Sequence, residues 1–165
     1  MKKFFYLLVA ALIFQACCVC NKMSAVDAMQ FDKIVFHSST CFGSCPQIAI
    51  EINREGGTKL KRQFFNESAT QTKERSGEFK GHISKEALDG LMLELNHSNY
   101  ETLQFPNVDC CDAPVITIIV YAKGKKVYLR SMMPPKDAGD LIKYLTELTT
   151  TVELPLAEDK FEIEN

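Results

Sequence analysis

Val115-Ile116-Thr117-Ile118-Ile119-Val120-Tyr121 is a nearly unbroken β-branched run, and no other stretch constrains the fold as tightly. Branching at Cβ suits the pleated backbone of a strand and disfavours a helix. A strand with almost no polar face needs cover on both sides, so this run reads as a central strand buried on both faces.

Shorter segments supply its neighbours. Phe31 to His37 reads as a first strand, and Gln47 to Asn53 alternates strictly, with Ile48, Ile50 and Ile52 on one face. Glu55-Gly56-Gly57 offers the positive φ of a tight hairpin, after which Thr58 to Phe65 returns with Leu60 and Phe64 in phase. A weaker fourth strand falls around Glu78 to Ile83, and Lys123-Gly124 turns the central strand into Lys126 to Arg130. Ser84 can cap a helix carrying Leu88, Leu91, Met92 and Leu95 at helical spacing. Pro134 and Pro135 open a second, with Ala138, Leu141, Ile142, Leu145 and Leu148 as its apolar stripe. The expected fold is α+β: an antiparallel sheet of about five to six strands with two helices packed on one face, in the order strands, helix, two strands, helix.

The N-terminus sets the address. Lys2 and Lys3 precede an uncharged apolar run from Phe4 to Phe14, too short to span a bilayer but suited to an export signal. Phe14-Gln15-Ala16-Cys17 resembles a lipobox, although Phe14 stands where Leu is usual and Gln15 is unusual. Residues 1–16 are therefore expected to be a lipoprotein signal peptide and Cys17 the lipidated residue. Residues 17–30 then form a tether, 31–150 a single domain, and 151–165 an acidic, poorly patterned tail read as mobile. The acyl chains hold the chain on a bacterial membrane with the domain extracytoplasmic. No acidic sorting signal follows Cys17, so a periplasm-facing domain is favoured over surface display.

Composition narrows the partners. The net charge of −2 gives neither a nucleic-acid footprint nor a polybasic membrane patch. Lys59, Lys61 and Arg62 cluster, as do Lys123, Lys125 and Lys126, and both groups read as solvated strand faces.

The chemistry-bearing residues are mostly cysteines. Cys41-Phe42-Gly43-Ser44-Cys45-Pro46 spaces two thiols as in copper-delivery proteins of thioredoxin fold, but here Pro46 leads into a strand. The helix dipole that would lower a thiol pKa is missing. In an oxidising compartment the thiols close on one another. A Cys41–Cys45 bridge contributes roughly 2 kcal/mol on the chain-entropy model, and one from either to Cys110 or Cys111 roughly 4 kcal/mol. Geometry decides between them, and the residues alone leave the pairing open. Asp109-Cys110-Cys111-Asp112-Ala113-Pro114 could hold a soft metal with His37, yet Asp112 reads better as a turn former bonding local amides. His37, His82 and His97 are isolated and complete no catalytic motif, and no cofactor is expected.

Taken together, Cys41-x-Gly43-x-Cys45-Pro46, the alternating strand with its glycine hairpin, Asp112-x-Pro114 before the β-rich strand, and the final Pro-led helix resemble an uncharacterised bacterial family of domains of unknown function, family 6438. The likeness spans about residues 31 to 148, with Cys111 a departure where the family tends to have Thr. The resemblance implies Cys41–Cys45 as the bridge and supplies no activity. The expected function is a non-enzymatic binding module of the envelope, gripping a protein or glycan. The alternative is a thiol-redox or copper-binding protein using Cys41 and Cys45, with His37 as a further candidate ligand.

Overall fold

A computed structural model describes residues 31–165 except Gly43 and Asp109. The export segment, Cys17 and the tether lie outside the described residues. The strands are β1 (Phe31–Ser38), β2 (Gln47–Asn53), β3 (Gly57–Phe65), β4 (Gln71–His82), β5 (Ile116–Ala122) and β6 (Lys125–Ser131); the helices are α1 (Lys85–Ser98) and α2 (Gly139–Thr151). The strands form one sheet in the order β4-β3-β2-β1-β5-β6, every pair antiparallel. The architecture is thus α+β, with elements in the order read from the sequence.

The first four strands are a meander closed by local turns. At its β2–β3 corner, Gly56 takes φ +84°, and Asn53 Oδ1 accepts the amides of Glu55 and Gly57 at 3.0 and 2.8 Å. After α1 the chain returns to the far edge of β1, so β2 and β1 form the middle of the sheet and β5 is an inner strand between β1 and the edge strand β6. β5 is buried along almost its whole length, as its β-branched composition demands.

One face of the sheet packs on both helices. Ile34, Phe36, Ile50, Leu60, Ile118 and Val120 meet Leu91 and Leu95 of α1 and Leu141, Leu145 and Leu148 of α2 in a single cluster. Each full burial contributes about 1.5–3 kcal/mol. Exposed pairs such as Lys85–Asp89, at 2.6 Å, are screened by solvent, so the apolar layer dominates. Ser84 caps α1 by accepting the Ala87 amide at 3.2 Å, and Asn99 ends it in the left-handed region with φ 47°.

The helices touch where α1 lacks a side chain. Tyr144 donates its hydroxyl to the Ala87 carbonyl at 2.7 Å, and a Cβ on Gly90 would lie 2.5 Å from that hydroxyl oxygen. Ala at position 90 gains about 1 kcal/mol of helix propensity but overpacks by about 2 kcal/mol. Gly90→Ala is therefore expected to destabilise by about 1 kcal/mol in urea unfolding, and Gly90→Ala with Tyr144→Phe to recover part of that loss; a stabilised single variant would refute the contact.

Three expectations are corrected. β4 begins at Gln71, well before Glu78, because its polar first half pairs with β3 across a register shift between Arg62 and Phe64. Edge position lets a strand be polar on both faces, which hid it. The second helix opens with a single 3-10 turn at Lys136–Ala138. The acidic tail, read as mobile, is docked. Lys80 N–H donates to Pro155 O at 3.1 Å and Ala157 N–H to Glu78 O at 2.9 Å along the outer edge of β4. The chain then crosses to the face opposite the helices, where Ile163 packs on Val35 and Ile119, with Phe161 beside them. Among the described residues, no helix is long and apolar enough to cross a membrane.

Candidate functional site

The residues singled out from the sequence converge at one end of the sheet, where β1 leaves, β2 and β5 begin, and β6 ends. Ser39 ties the two loops there together: its amide donates to Val115 O at 3.1 Å, and its Oγ accepts the Val115 amide at 2.9 Å. Cys41 and Cys45 are joined by a disulfide with a Cα–Cα distance of 5.4 Å. In this oxidised form the pair offers no thiolate to a metal. Pro46, half-buried, leads straight into β2, and Gly43 lies outside the described residues.

Asp112 does not bond the amides of its own turn. Its Oδ1 accepts the Phe42 amide across the end of the sheet at 2.5 Å, so the carboxylate pins the cystine loop. Cys111 is an exposed free thiol in the left-handed region with φ 53°, and the half-buried Cys110 places its sulfur 3.4 Å from Met133 Sδ. Pro114 is half-buried beneath the start of β5. Among the described residues no group of three or more His, Cys, Asp or Glu side chains converges to hold a metal. His37, the suggested extra ligand, is turned to the sheet face, where its Nε2–H donates to the Glu164 carbonyl at 2.5 Å.

Two features escaped the sequence reading. Phe42 is 92% exposed at the tip of the cystine loop, and Met133 is 54% exposed nearby in sequence to β6. The only signal for Phe42 was its place inside a cystine-closed loop, where an apolar side chain has no core to reach. The second feature is a cleft of about 310 Å³ on the face opposite the helices, at the same end. Register pairing lays Arg130, Thr117, His37, Ala49 and Lys61 in one row across five strands. Thr117 and Ala49 are small and leave the floor open, while Arg130 and Lys61 rise at either side. Gln47, Gln63 and Asn165 of the tail also line the cleft, and no acidic side chain does.

Four lysines of this face are paired with glutamates, while Lys80, opposite Lys59, has no ion pair among the described residues. Glu51 pairs with Lys59 at 2.9 Å and Lys33 at 3.7 Å, and Glu164 pairs with Lys33 at 2.9 Å and Lys126 at 2.7 Å. Tyr121 also donates its hydroxyl to Glu164 at 2.5 Å. The Lys126, Tyr121 and Lys33 hydrogen bonds hold the Glu164 carboxyl down at about 2, well below the usual carboxylate range. Lys61 pairs with Glu78 at 3.3 Å and with the exposed Glu162 at 3.8 Å. The Arg130 side chain has no hydrogen bond or ion pair among the described residues.

Residues 32–149 match the family model described as a domain of unknown function, DUF6438. A comparison with curated proteins found no match.

Proposed function

The chain belongs to the DUF6438 family, and from that premise we propose that it is a bacterial envelope lipoprotein, lipidated at Cys17, whose domain is a non-enzymatic binding module facing the periplasm. The contact surface is the end of the sheet bearing the cystine loop. One observation carries this reading: an almost fully exposed aromatic ring, Phe42, sits on a loop closed by the Cys41–Cys45 bridge and pinned by Asp112. A large apolar side chain held out in water has no folding role there. A covalently closed loop has already lost the conformational freedom that a docking loop otherwise gives up on binding. Buried aromatic anchors of this kind dominate interface energetics. The lipid anchor supports the same reading, since it confines the module to the membrane surface where its partner, a protein or glycan of the envelope, is concentrated.

The test compares the purified domain, produced without residues 1–17 so that no acyl chain holds it to the membrane, with its Phe42→Ser variant for retention on isolated envelopes from the producing cells. Losing a central aromatic anchor costs about 2 kcal/mol or more, so retention is expected to fall at least tenfold at unchanged melting temperature. Equal retention of the two proteins would remove the loop from the interface. Mass spectrometry of the mature chain checks the anchor: a first residue other than an acylated Cys17 overturns the lipoprotein assignment.

A further inference from the structure

The geometry points to the cleft beside the cystine loop as a binding site for an acidic, extended peptide segment of the module's partner. This rests on the binding-module reading and specifies the ligand class at the same end of the sheet.

Three observations lead there. The first is the electrostatic character of the walls. Arg130 and Lys61 flank the cleft, His37 lies between them in the same cross-strand row, and the amides of Gln47 and Gln63 face the same space. The lining side chains carry the positive charges of Arg130 and Lys61 and no carboxylate, so the complementary ligand is an anion. The second is that the Arg130 side chain has no hydrogen bond or ion pair among the described residues, whereas Lys61 on the opposite wall of the cleft pairs with Glu78 and Glu162. A guanidinium fork fits a carboxylate in two parallel hydrogen bonds, and becomes worth more when the site is covered.

The third observation chooses a peptide over other anions. The face already holds an acidic segment, the chain's own Phe161-Glu162-Ile163-Glu164, and the residue that follows it, Asn165, lines one side of the cleft. The segment's apolar residues meet Val35, Ile119 and Ala49, its glutamates meet lysines, and its Glu164 backbone carbonyl accepts from His37. The face thus recognises alternating apolar and acidic side chains together with the peptide backbone, and the cleft extends that surface toward Arg130. At about 310 Å³ the cleft has room for one or two residues of a ligand, at the small end of the usual range.

The probe is a fluorescein-labelled, end-capped pentaglutamate, titrated into the purified full-length protein at 0.15 M salt, roughly the ionic strength at which charges beyond ~8 Å are screened. Saturable binding is expected. Arg130→Glu is expected to weaken it at least tenfold. Lys125→Glu makes the same charge change on β6, away from the cleft lining, and is expected to alter it less than twofold. Both positions are exposed, and near-ultraviolet circular dichroism checks that the variants fold alike. Absence of saturable binding overturns the assignment, as does equal weakening by the two variants, which would mark a diffuse charge effect. Tighter binding of a trigalacturonate than of pentaglutamate would also overturn it, in favour of an acidic glycan. None of these results bears on Phe42, so the envelope-retention measurement stands or falls separately.

Discussion

Arg62→Ala is expected to lower the unfolding free energy by about 3–4 kcal/mol, measured as a fall in the urea midpoint at unchanged slope. The side chain is only 8% exposed, under the helices on β3. Its Nε donates to Arg75 O at 2.7 Å, and its Nη1 donates to Thr149 O at 2.9 Å and Val152 O at 3.3 Å. The last carbonyls of a helix have no donor within the helix, and the C-terminal end carries partial negative charge. α2 has no basic residue in its own last turn, so β3 supplies the cation from across the core. The guanidinium also lies 4.6 Å over the Phe79 ring. Burial, and then the neighbouring Arg75, lower its pKa; an arginine remains cationic at neutral pH regardless. Alanine removes donors from buried carbonyls and leaves a void. Arg62→Met keeps most of the packed stem and should cost roughly half as much, isolating the hydrogen bonds. A loss below about 0.5 kcal/mol for alanine would return Arg62 to the solvated surface where sequence reasoning placed it.

That misplacement shows what the sequence carries and what it hides. Lys59, Lys61 and Arg62 look like one basic patch, but strand alternation sends Lys59 and Lys61 to one face and Arg62 to the other. Only knowing which face the helices cover turns that parity into burial. The strands and helices were legible because their signals are local: Ile48, Ile50 and Ile52 at period two, Leu91 and Leu95 at helical spacing, Ser84 as a cap. The partners of Asp112 and His37 were not, because the Phe42 amide and the Glu164 carbonyl are distant in sequence and no local pattern encodes them. The cleft depends on Arg130, Thr117, His37, Ala49 and Lys61 standing abreast, which follows from strand order alone. The docked tail did leave a trace. Phe161-Glu162-Ile163-Glu164 alternates apolar and acidic residues with the period of a strand lying on an apolar surface. The run is short and rich in acid, and composition masked periodicity.

The tail's attachment should depend on pH through Glu164. Its carboxyl titrates near 4.5 when unperturbed and at about 2 in the folded chain, where Lys126, Tyr121 and Lys33 hydrogen-bond to the charged form. A depressed folded-state pKa stabilises the fold above the unfolded value. That stabilisation is complete above about pH 4.5 and is lost as pH falls through about 2. The side chain is 28% exposed, so solvent screening reduces the full linkage value to about 2 kcal/mol. Glu164→Gln is accordingly expected to be about 2 kcal/mol less stable than the parent at pH 7, with the gap closing between pH 4.5 and 2 as the parent loses the same charge. Urea unfolding of both proteins across that range is the measurement. Because other carboxylates titrate equally in the two chains, the difference isolates this one. Ile163→Ala provides the apolar control: it removes packing on Val35 and Ile119, and its deficit should stay constant over the same pH range provided the glutamate remains clamped. A Glu164→Gln deficit that persists unchanged at pH 2 would mean the carboxylate's charge does not hold the tail, leaving Ile163 and Phe161 as its anchors.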